Sequence, residues 1–221
     1  VNKSDAKKAL NTLHGRFFEE KLKQLNLFVT GVGNVGERFL AQIAQQSNYL
    51  KEYLKLNIRV VGIANSRKMF VNEEGIDLSN WKESLKNGEP TTLKEFYEKV
   101  VSLNMRNSVF VDNTANLHVS EMYEHYLRKN VGVVTCNKIA CASDFENYKT
   151  LKRVSRKYNA PFLFETNVGA GLPIIDTLKN LIASGDQVQK IQAVLSGSLN
   201  YVFNNFNDSS TFHDVVQAAQ K

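Results

Sequence analysis

The sequence predicts an α/β protein built on a parallel, doubly wound sheet. Three observations support this prediction: five short apolar runs, helical segments between them, and a glycine-rich turn directly after the first run. Strands buried on both faces of a parallel sheet read as near-continuous apolar runs. Their alternation with helices is typical of a parallel sheet with helices on both faces. The runs are LNLFVT (25–30), NIRVVGIA (57–64), SVFVD (108–112), VGVVT (131–135) and PFLFE (161–165).

Composition excludes several other classes of protein. The chain has 221 residues, 43% of them hydrophobic, and no run of the about 18 apolar residues that a membrane span needs. The 28 basic residues are mixed with 22 acidic ones, so the net charge of +6 does not indicate a nucleic-acid-binding surface. Cys136 and Cys141 have no partner at metal-binding spacing, so we expect reduced thiols and a cytoplasmic protein.

The first predicted element is a connecting helix over residues 1–24. Ser4 or Asp5 can cap it. Its apolar face comprises Ala9, Leu10, Leu13 and Phe17. The N-terminus has neither an initiator Met nor the apolar segment of a secretory signal. We therefore expect the chain to be a piece of a longer polypeptide.

The first strand ends in the turn Gly31-Val32-Gly33-Asn34-Val35-Gly36, and an amphipathic helix follows. Glycines at this spacing between a strand and a helix are typical of dinucleotide-binding Rossmann folds. Gly31 permits the tight turn, Gly33 lets the backbone approach a pyrophosphate, and Gly36 allows close helix–strand packing. The helix N-terminus offers N–H groups to the phosphates. A structural glycine turn that binds nothing is the alternative.

The end of the second strand indicates which dinucleotide binds. An acid there would bind the ribose 2′-hydroxyl of NAD(H) and repel a 2′-phosphate. The chain instead has Ala64-Asn65-Ser66-Arg67-Lys68, with two cations and no acid. Arg67 can stack on adenine or pair with the phosphate, so the sequence predicts NADP(H). Taken alone, Arg67 or Lys68 is equally an ordinary surface charge.

Polar residues follow the third and fourth strands. Asp112-Asn113-Thr114-Ala115-Asn116 and Thr135-Cys136-Asn137-Lys138 lie at the carboxyl edge, where ligands of such sheets bind. Lys138 can polarise a carbonyl oxygen or share its proton during hydride transfer. A solvent-facing loop cation is the alternative for Lys138.

The segments between these strands are predicted as crossovers. Residues 66–106 are expected to form a crossover of helix and loop. Helices are expected over Val119–Lys129, with Met122, Tyr126 and Leu127 facing inward, and over Phe145–Tyr158.

The pattern changes after Glu165. A glycine-rich turn, NVGAGLP (167–173), precedes a helix over Ile174–Ala183, a strand over Gln189–Ser196, a helix over Leu199–Phe206 and a final charged helix. Glu165 and carbonyl groups of the turn could hold a hard or monovalent cation, although a plain turn between domains explains the spacing better. We predict a connecting helix (1–24), a Rossmann-type NADP-binding domain (25–165) and the incomplete beginning of an α+β substrate and dimerisation domain (166–221).

Six segments together resemble homoserine dehydrogenase, in particular the dehydrogenase portion of bifunctional aspartokinase–homoserine dehydrogenases. They are FVTGVGNVG (28–36), RVVGIANSRK (59–68), VFVDNTAN (109–116), VVTCNK (133–138), ETNVGAGLPII (165–175) and LSGSLNYVFN (195–204). The segments occur in family order and cover the chain from about Phe28 onward. ETNVGAGLP and SGSLNY are long and far more specific than the glycine turn.

The resemblance implies an NADP-dependent interconversion of L-homoserine and L-aspartate 4-semialdehyde, a step towards threonine, methionine and isoleucine. It also implies a homo-oligomer fused to an N-terminal aspartokinase. Matched cofactor positions, besides the glycines, are Asn34, Val35, Ala64, Arg67, Thr114 and Lys138, the last two near nicotinamide and substrate. A sodium or potassium site matches Glu165 and the backbone carbonyls of Val168, Ala170 and Leu172. Ser198 matches a substrate-pocket position.

The resemblance further implies a YTEPDPRDD-like run and an ARK-like segment, which supply substrate-binding carboxylates and a proton-donating Lys. The 221 residues contain neither, so we expect them to bind NADP(H) with little turnover. Two alternatives remain: a non-catalytic NADP-sensing or scaffold protein, and an aspartate-semialdehyde dehydrogenase. The second needs a Cys nucleophile that forms a thioester, and no His lies near Cys136 in sequence.

Overall fold

The computed structural model describes residues 22–207 and 209–220, together with residues 6, 9, 10, 12 and 13. Those five residues are helical, as predicted for the connecting helix. The rest of that helix, including Ser4, Asp5 and Phe17, lies outside the described residues. The chain divides into two compact units, Val1–Phe164 and Glu165–Lys221. No helix within the described ranges is long and apolar enough to cross a membrane.

The first unit is built on one sheet of seven strands. The strands are β1 (Lys23–Thr30), β2 (Leu56–Ala64), β3 (Lys68–Val71), β4 (Glu89–Pro90), β5 (Ser108–Asp112), β6 (Gly132–Thr135) and β7 (Phe162–Leu163). Their order is β4-β3-β2-β1-β5-β6-β7. The five strands from β2 to β7 in this order pair in parallel. The predicted α/β fold with a Rossmann-type parallel sheet is confirmed for these five strands.

The two edge strands β3 and β4 correct the prediction of a helix-and-loop crossover over 66–106. Both pair antiparallel to their neighbours, which makes the sheet mixed. Only residues 65–67 separate β2 from β3, and a connection this short permits a hairpin but no crossover. The Asn65 carboxamide oxygen closes this turn by accepting hydrogen bonds from the backbone N–H groups of Arg67 and Lys68, both at 2.8 Å.

Helices connect the strands of the first unit. They are α1 (Asn34–Glu52), α2 (Trp81–Lys86), α3 (Leu93–Leu103), α4 (Leu117–Glu121), α5 (Tyr123–Leu127), α6 (Ile139–Ala142) and α7 (Phe145–Lys157). The predicted single helix over 119–129 is wrong in one respect, since α4 and α5 meet at Met122. This interruption turns Tyr123 fully inward and leaves Met122 half-buried, whereas we expected Met122 inward.

Alternate residues of β1 bury two different layers, because successive side chains of a strand point to opposite faces. Leu27 and Val29 belong to an aliphatic core that also includes Leu40 and Ile43 of α1. Phe28 points to the other face, where the core is aromatic. Phe110 stacks there on Tyr126, with ring centroids 4.1 Å apart. Both faces of the sheet are therefore covered, as expected for a doubly wound fold.

The second unit contains three helices among its described residues: α8 (Ile175–Ala183), α9 (Gly197–Asn205) and α10 (Phe212–Ala219). They agree with the three predicted helices to within two residues where bounds were given. The predicted strand over Gln189–Ser196 is wrong, since this segment has neither helix nor strand. A strand requires a neighbour to complete its ladder, and the described part of the chain offers none, so Ile191 (62% exposed) and Val194 (76% exposed) face solvent.

Candidate functional site

The glycine turn after β1 is closed to side chains at two of its three glycines. Gly31 has φ +86°, and a Cβ there would lie 2.7 Å from Cγ2 of Thr114. A Cβ on Gly36 would lie 2.0 Å from the Gly31 carbonyl oxygen. The Gly31 N–H donates to the Ala64 carbonyl at 3.0 Å, which joins the turn to the end of β2. The turn thus requires glycine at 31 and 36 for the close approach of three chain segments.

The third glycine, Gly33, faces open space. A Cβ built there meets no atom within 4 Å, and Gly33 precedes the first residue of α1. The first N–H groups of a helix have no partner inside the helix, and no side chain caps them here. Asn34 and Val35 are exposed at this end. A phosphate group fits this arrangement, because N–H donors and the positive end of the helix dipole meet at an accessible backbone.

Two buried polar atoms beside the turn also fit a ligand that supplies hydrogen bonds. Among the described residues, Thr30 Oγ1 and Asn113 Nδ2 are buried without a hydrogen-bond partner. Thr30 is the last residue of β1. Asn113 Nδ2 would lie 3.5 Å from a Cβ on Gly36. Buried polar groups without partners are uncommon in folded proteins, so the edge of the sheet at the glycine turn is suited to a polar ligand.

The turn after β2 presents two cations at the predicted adenosine end. The Lys68 ammonium group uses one of its three N–H donors on the Lys86 carbonyl, at 2.5 Å. Arg67 is exposed and forms no ion pair within the described ranges. Its backbone is fixed on both sides, because its N–H donates to Asn65 and its carbonyl accepts from the Thr91 N–H at 3.0 Å. The Arg67 guanidinium therefore extends from a backbone that hydrogen bonds hold in place.

Thr114 and Lys138 lie in the loops that follow β5 and β6. The Thr114 hydroxyl oxygen accepts from the Asn116 N–H at 3.2 Å, so its hydrogen can be donated to a ligand. Lys138 is exposed at the start of α6. Because β5 and β6 are parallel neighbours, both loops leave the same edge of the sheet as the glycine turn. The structure thus brings the predicted cofactor residues of the first unit to one edge.

Asp112, which we expected to line the ligand crevice, is fully buried. Its carboxylate accepts hydrogen bonds from the Thr114 N–H at 2.7 Å, from the Asn137 side chain at 3.0 Å and from the Tyr123 hydroxyl. Sequence analysis missed Tyr123 because its role depends on the break at Met122. Burial first, and then the neighbouring Asp112 carboxylate, raise the pKa of Tyr123 well above that of an ordinary phenol. The hydroxyl therefore stays protonated and donates a hydrogen bond to Asp112.

Cys136 directly follows the last residue of β6 and is a free thiol. Burial, followed by the Asp112 carboxylate, raises its pKa above that of an ordinary cysteine, which the nearby Lys138 only partly offsets. A nucleophilic cysteine needs the opposite shift, because the thiolate is the reactive species. Cys136 therefore has the character of a structural thiol.

In the second unit, Glu165 supports a helix. Its two carboxylate oxygens accept from the backbone N–H groups of Ile175 and Asp176, each at 2.8 Å, at the start of α8. In the turn between them, Gly169 and Ala170 have positive φ, at +70° and +53°. Among the described residues, no group of three His, Cys, Asp or Glu side chains could hold a metal ion. Any cation here would thus depend on carbonyl oxygens beside Glu165.

Three further positions, two of the predicted cation site and one of the predicted substrate pocket, are located in this unit. The Leu172 carbonyl accepts from the Ile174 N–H at 3.0 Å, and Val168 donates its N–H to the Glu165 carbonyl at 3.4 Å. Ser198 is exposed in the first turn of α9, whose N-terminus is capped by the Ser196 hydroxyl. Their roles in binding remain predictions.

Two family models match the chain. The model described as homoserine dehydrogenase, NAD binding domain, matches residues 31–165, and the model described as homoserine dehydrogenase matches residues 173–221. The chloroplastic bifunctional aspartokinase/homoserine dehydrogenase 1 of Zea mays is 38% identical over 223 residues, which cover 100% of this chain and 24% of the maize protein. The homoserine dehydrogenase of Schizosaccharomyces pombe is 30% identical and covers 89% of this chain, which spans 54% of the yeast protein.

Solved structures agree with these relatives. A hyperthermophilic archaeal homoserine dehydrogenase in complex with NADPH has a TM-score of 0.74 and 25% identity, over 90% of this chain and 61% of that chain. The chain thus spans about a quarter of the maize relative and about half of the yeast relative. The family models match most of its length, in the first unit and in the second. The chain therefore belongs to the homoserine dehydrogenase family.

Proposed function

We propose that these residues form the NADP(H)-binding part of an oxidoreductase that interconverts L-homoserine and L-aspartate 4-semialdehyde. The observation that carries the proposal is the convergence of the glycine turn and the Thr114 loop at one sheet edge. Of the three glycines in this turn, only Gly33 faces open space. A dinucleotide can lie along this edge, with its pyrophosphate at the N-terminus of α1. Membership of the homoserine dehydrogenase family indicates the substrate.

The turn after β2 supports NADP(H) as the preferred dinucleotide. No acidic residue follows Ala64 before β3 begins, so a 2′-phosphate meets no carboxylate in this turn. Arg67 supplies a guanidinium group that can pair with this phosphate by two hydrogen bonds. Lys68 contributes less, because its ammonium group is bound to the Lys86 carbonyl.

When bound, the cofactor supplies or accepts the hydride. Thr114 and Lys138 act at the nicotinamide and substrate end. The Thr114 hydroxyl can donate to the carboxamide of the nicotinamide or to the substrate, since its oxygen already accepts from Asn116. The Lys138 ammonium group can polarise the substrate carbonyl oxygen and share a proton with it.

The remaining predicted sites belong to the second unit. Glu165, with the carbonyl groups of Val168, Ala170 and Leu172, is proposed to hold sodium or potassium, which prefer oxygen ligands. Ser198 is proposed to contact the substrate. The division into segments 1–24, 25–165 and 166–221 stays a prediction, as do homo-oligomer formation and a cytoplasmic location. Fusion to an aspartokinase is also proposed, as the name of the maize relative describes it for that protein.

Of the two alternatives, the aspartate-semialdehyde dehydrogenase is disfavoured by the pKa of Cys136 and the NADP sensor is distinguished only by activity. An aspartate-semialdehyde dehydrogenase would need Cys136 as nucleophile, and its raised pKa disfavours the thiolate. A non-catalytic NADP sensor would bind the cofactor equally well, so only activity distinguishes it. We also propose that the 221 residues alone have little turnover, because the substrate-binding carboxylates expected from the family are not among them. Homoserine oxidation by these residues at the rate of the complete protein would contradict this proposal.

The experiment that tests the reaction is an assay of L-homoserine-dependent NADP⁺ reduction by the complete protein in which these residues occur. Lys138→Met should lower kcat by about tenfold or more, since a positioned acid–base group contributes about 10²–10⁴-fold to a rate. Lys129→Met is the matched control, because Lys129 is an exposed lysine just before β6, at the opposite edge of the sheet. No activity of the unaltered protein, or equal activity of the two variants, would contradict the proposed roles.

A further inference from the structure

Asp112 is the only fully buried carboxylate among the described residues of the sheet's carboxyl edge, and no described cation pairs with it. A buried carboxylate without a cation is costly unless hydrogen bonds replace its hydration. Three donors meet this need: the Thr114 N–H, the Asn137 side-chain amide and the Tyr123 hydroxyl. Each donor comes from a different segment of the chain.

The donors link the two loops that hold the nicotinamide-end residues. Thr114 is itself a predicted contact, and its N–H lies 2.7 Å from Asp112 Oδ1. Asn137 directly precedes Lys138, and its side-chain amide donates both to Asp112 and to the Asn116 carbonyl, each at 3.0 Å. The Asn137 oxygen accepts from the Ile139 N–H at 3.1 Å. Lys138 is thus held between two residues whose positions depend on Asp112.

Tyr123 and Thr135 form two further hydrogen bonds that connect Asp112 to the backbone of Asn137. The Tyr123 hydroxyl donates its hydrogen bond to Asp112. The Thr135 hydroxyl therefore acts as the donor to the Tyr123 oxygen, 2.7 Å away. The Thr135 oxygen in turn accepts from the Asn137 N–H at 2.8 Å. The side chains of Asp112, Tyr123, Thr135 and Asn137 are all buried, and the hydrogen bonds among these four residues form a closed ring. Such a network fixes a single arrangement when every member is satisfied.

We infer that Asp112 is a positioning residue, whose buried carboxylate holds the Thr114 and Lys138 loops in the geometry that binds the nicotinamide half of the cofactor. The inference rests on the proposed binding of NADP(H) at this edge. It does not extend to the adenosine half, because neither Arg67 nor Gly33 forms a hydrogen bond to Asp112 or Tyr123 among the described residues. The network therefore acts on one half of the dinucleotide.

The substitution Asp112→Asn separates this role from general stability. Asparagine keeps the shape and one acceptor oxygen, but in either orientation its N–H₂ group faces a donor, the Thr114 N–H or the N–H₂ group of Asn137, and two donors cannot bond to each other. Tyr123→Phe is the milder variant, because it removes one donor and leaves the other two. Asp144→Asn is the matched control, since Asp144 caps α7 from an exposed position and asparagine caps a helix equally well.

The test measures the binding of two ligands to the 221-residue chain by calorimetry, with circular dichroism as a check on folding. NADPH reports the whole site, and adenosine 2′,5′-bisphosphate reports the adenosine half alone. We expect Asp112→Asn to weaken NADPH binding by about tenfold, as loss of one charge-assisted hydrogen bond would, with adenosine 2′,5′-bisphosphate bound as by the unaltered chain. Tyr123→Phe should give a smaller loss of the same selectivity, and Asp144→Asn should bind both ligands normally.

Other outcomes overturn the inference. Equal weakening of both ligands would mean that the network only stabilises the fold, and unchanged NADPH binding would mean that the loops do not depend on Asp112. If Asp112→Asn does not fold, the same criteria apply to Tyr123→Phe. If the unaltered chain binds neither ligand, the proposed NADP(H) site itself is wrong, which is distinguishable from a failure of Asp112 alone.

Discussion

Alanine at Gly36 should destabilise the chain and alanine at Gly33 should not, although both should weaken the binding of NADPH. At Gly36 the new Cβ would lie 2.0 Å from the Gly31 carbonyl oxygen, and real Cβ contacts do not fall below 3.0 Å, so the turn must open by about 1 Å. At Gly33 the new Cβ meets nothing within 4 Å, and φ is −76°, outside the positive range that favours glycine. Each variant adds a single methyl group to the unaltered chain, so only the surroundings of that group differ.

The magnitudes follow from these two environments. Overpacking of this kind costs about 1–3 kcal/mol, whereas the gain in helix propensity from glycine to alanine is at most about 1 kcal/mol. Gly36→Ala should therefore lose about 1–2 kcal/mol of stability, which lowers Tm by about 2–8 °C in a chain of this length. Gly33→Ala should stay within about 1 kcal/mol of the unaltered chain, since it changes only the residue that precedes α1. Its Cβ occupies the space through which a pyrophosphate would approach the backbone.

Thermal unfolding and NADPH titration of the same three proteins test this reasoning. We expect Gly33→Ala to unfold near the temperature of the unaltered chain and to bind NADPH at least about tenfold more weakly, since charge-assisted hydrogen bonds to the backbone are lost. Gly36→Ala should lose both stability and binding. A Gly33→Ala chain that binds NADPH normally would refute the position of the pyrophosphate. A Gly36→Ala chain of unaltered Tm would refute the packing argument.

Three further predictions concern other residues. Arg67→Ala should weaken NADPH binding by about tenfold and leave NADH binding unchanged, because only the 2′-phosphate pairs with the guanidinium; equal losses measured by calorimetry would contradict this. Thr92→Ala should lower stability by about 1 kcal/mol in denaturant unfolding, because Thr92 and Glu95 form a capping box at the start of α3, and Thr91→Ala is the control. Burial raises the pKa of Cys136 in the folded chain, so stability should fall as the pH rises above about 8.5, where the unfolded thiol ionises; Cys136→Ser should show less of this decline between pH 8 and 9.5, and an identical profile would contradict the shift.

The parts of the fold that the sequence predicted correctly are those set by local pattern. Five apolar runs defined the parallel strands, and the glycine spacing located the turn, because the close contact of Gly36 with Gly31 arises within one strand–turn–helix unit. Strand β3 escaped prediction, since KMFV is only four residues long and lies beside a basic turn. The turn residues Asn65 and Ser66 were the available signal for a hairpin.

The errors arose where structure depends on partners distant in sequence. Gln189–Ser196 has the composition of a strand, but the described part of the chain provides no neighbouring strand to pair with it. Tyr123 was missed because its partners, Asp112 and Thr135, lie on two different strands. Asp112 was placed correctly at the sheet edge, but its burial could not be read from its position, since it depends on donors that three separate segments supply.

The proposed function depends most directly on the binding of NADP(H) at the carboxyl edge of the sheet. Calorimetric titration of the 221-residue chain with NADPH and with NADH measures this binding and its specificity together. We predict one site per chain and tighter binding of NADPH than of NADH, because the exposed Arg67 can pair with a 2′-phosphate in a turn without acidic residues. Tighter binding of NADH, or no saturable binding of either nucleotide, would contradict the account.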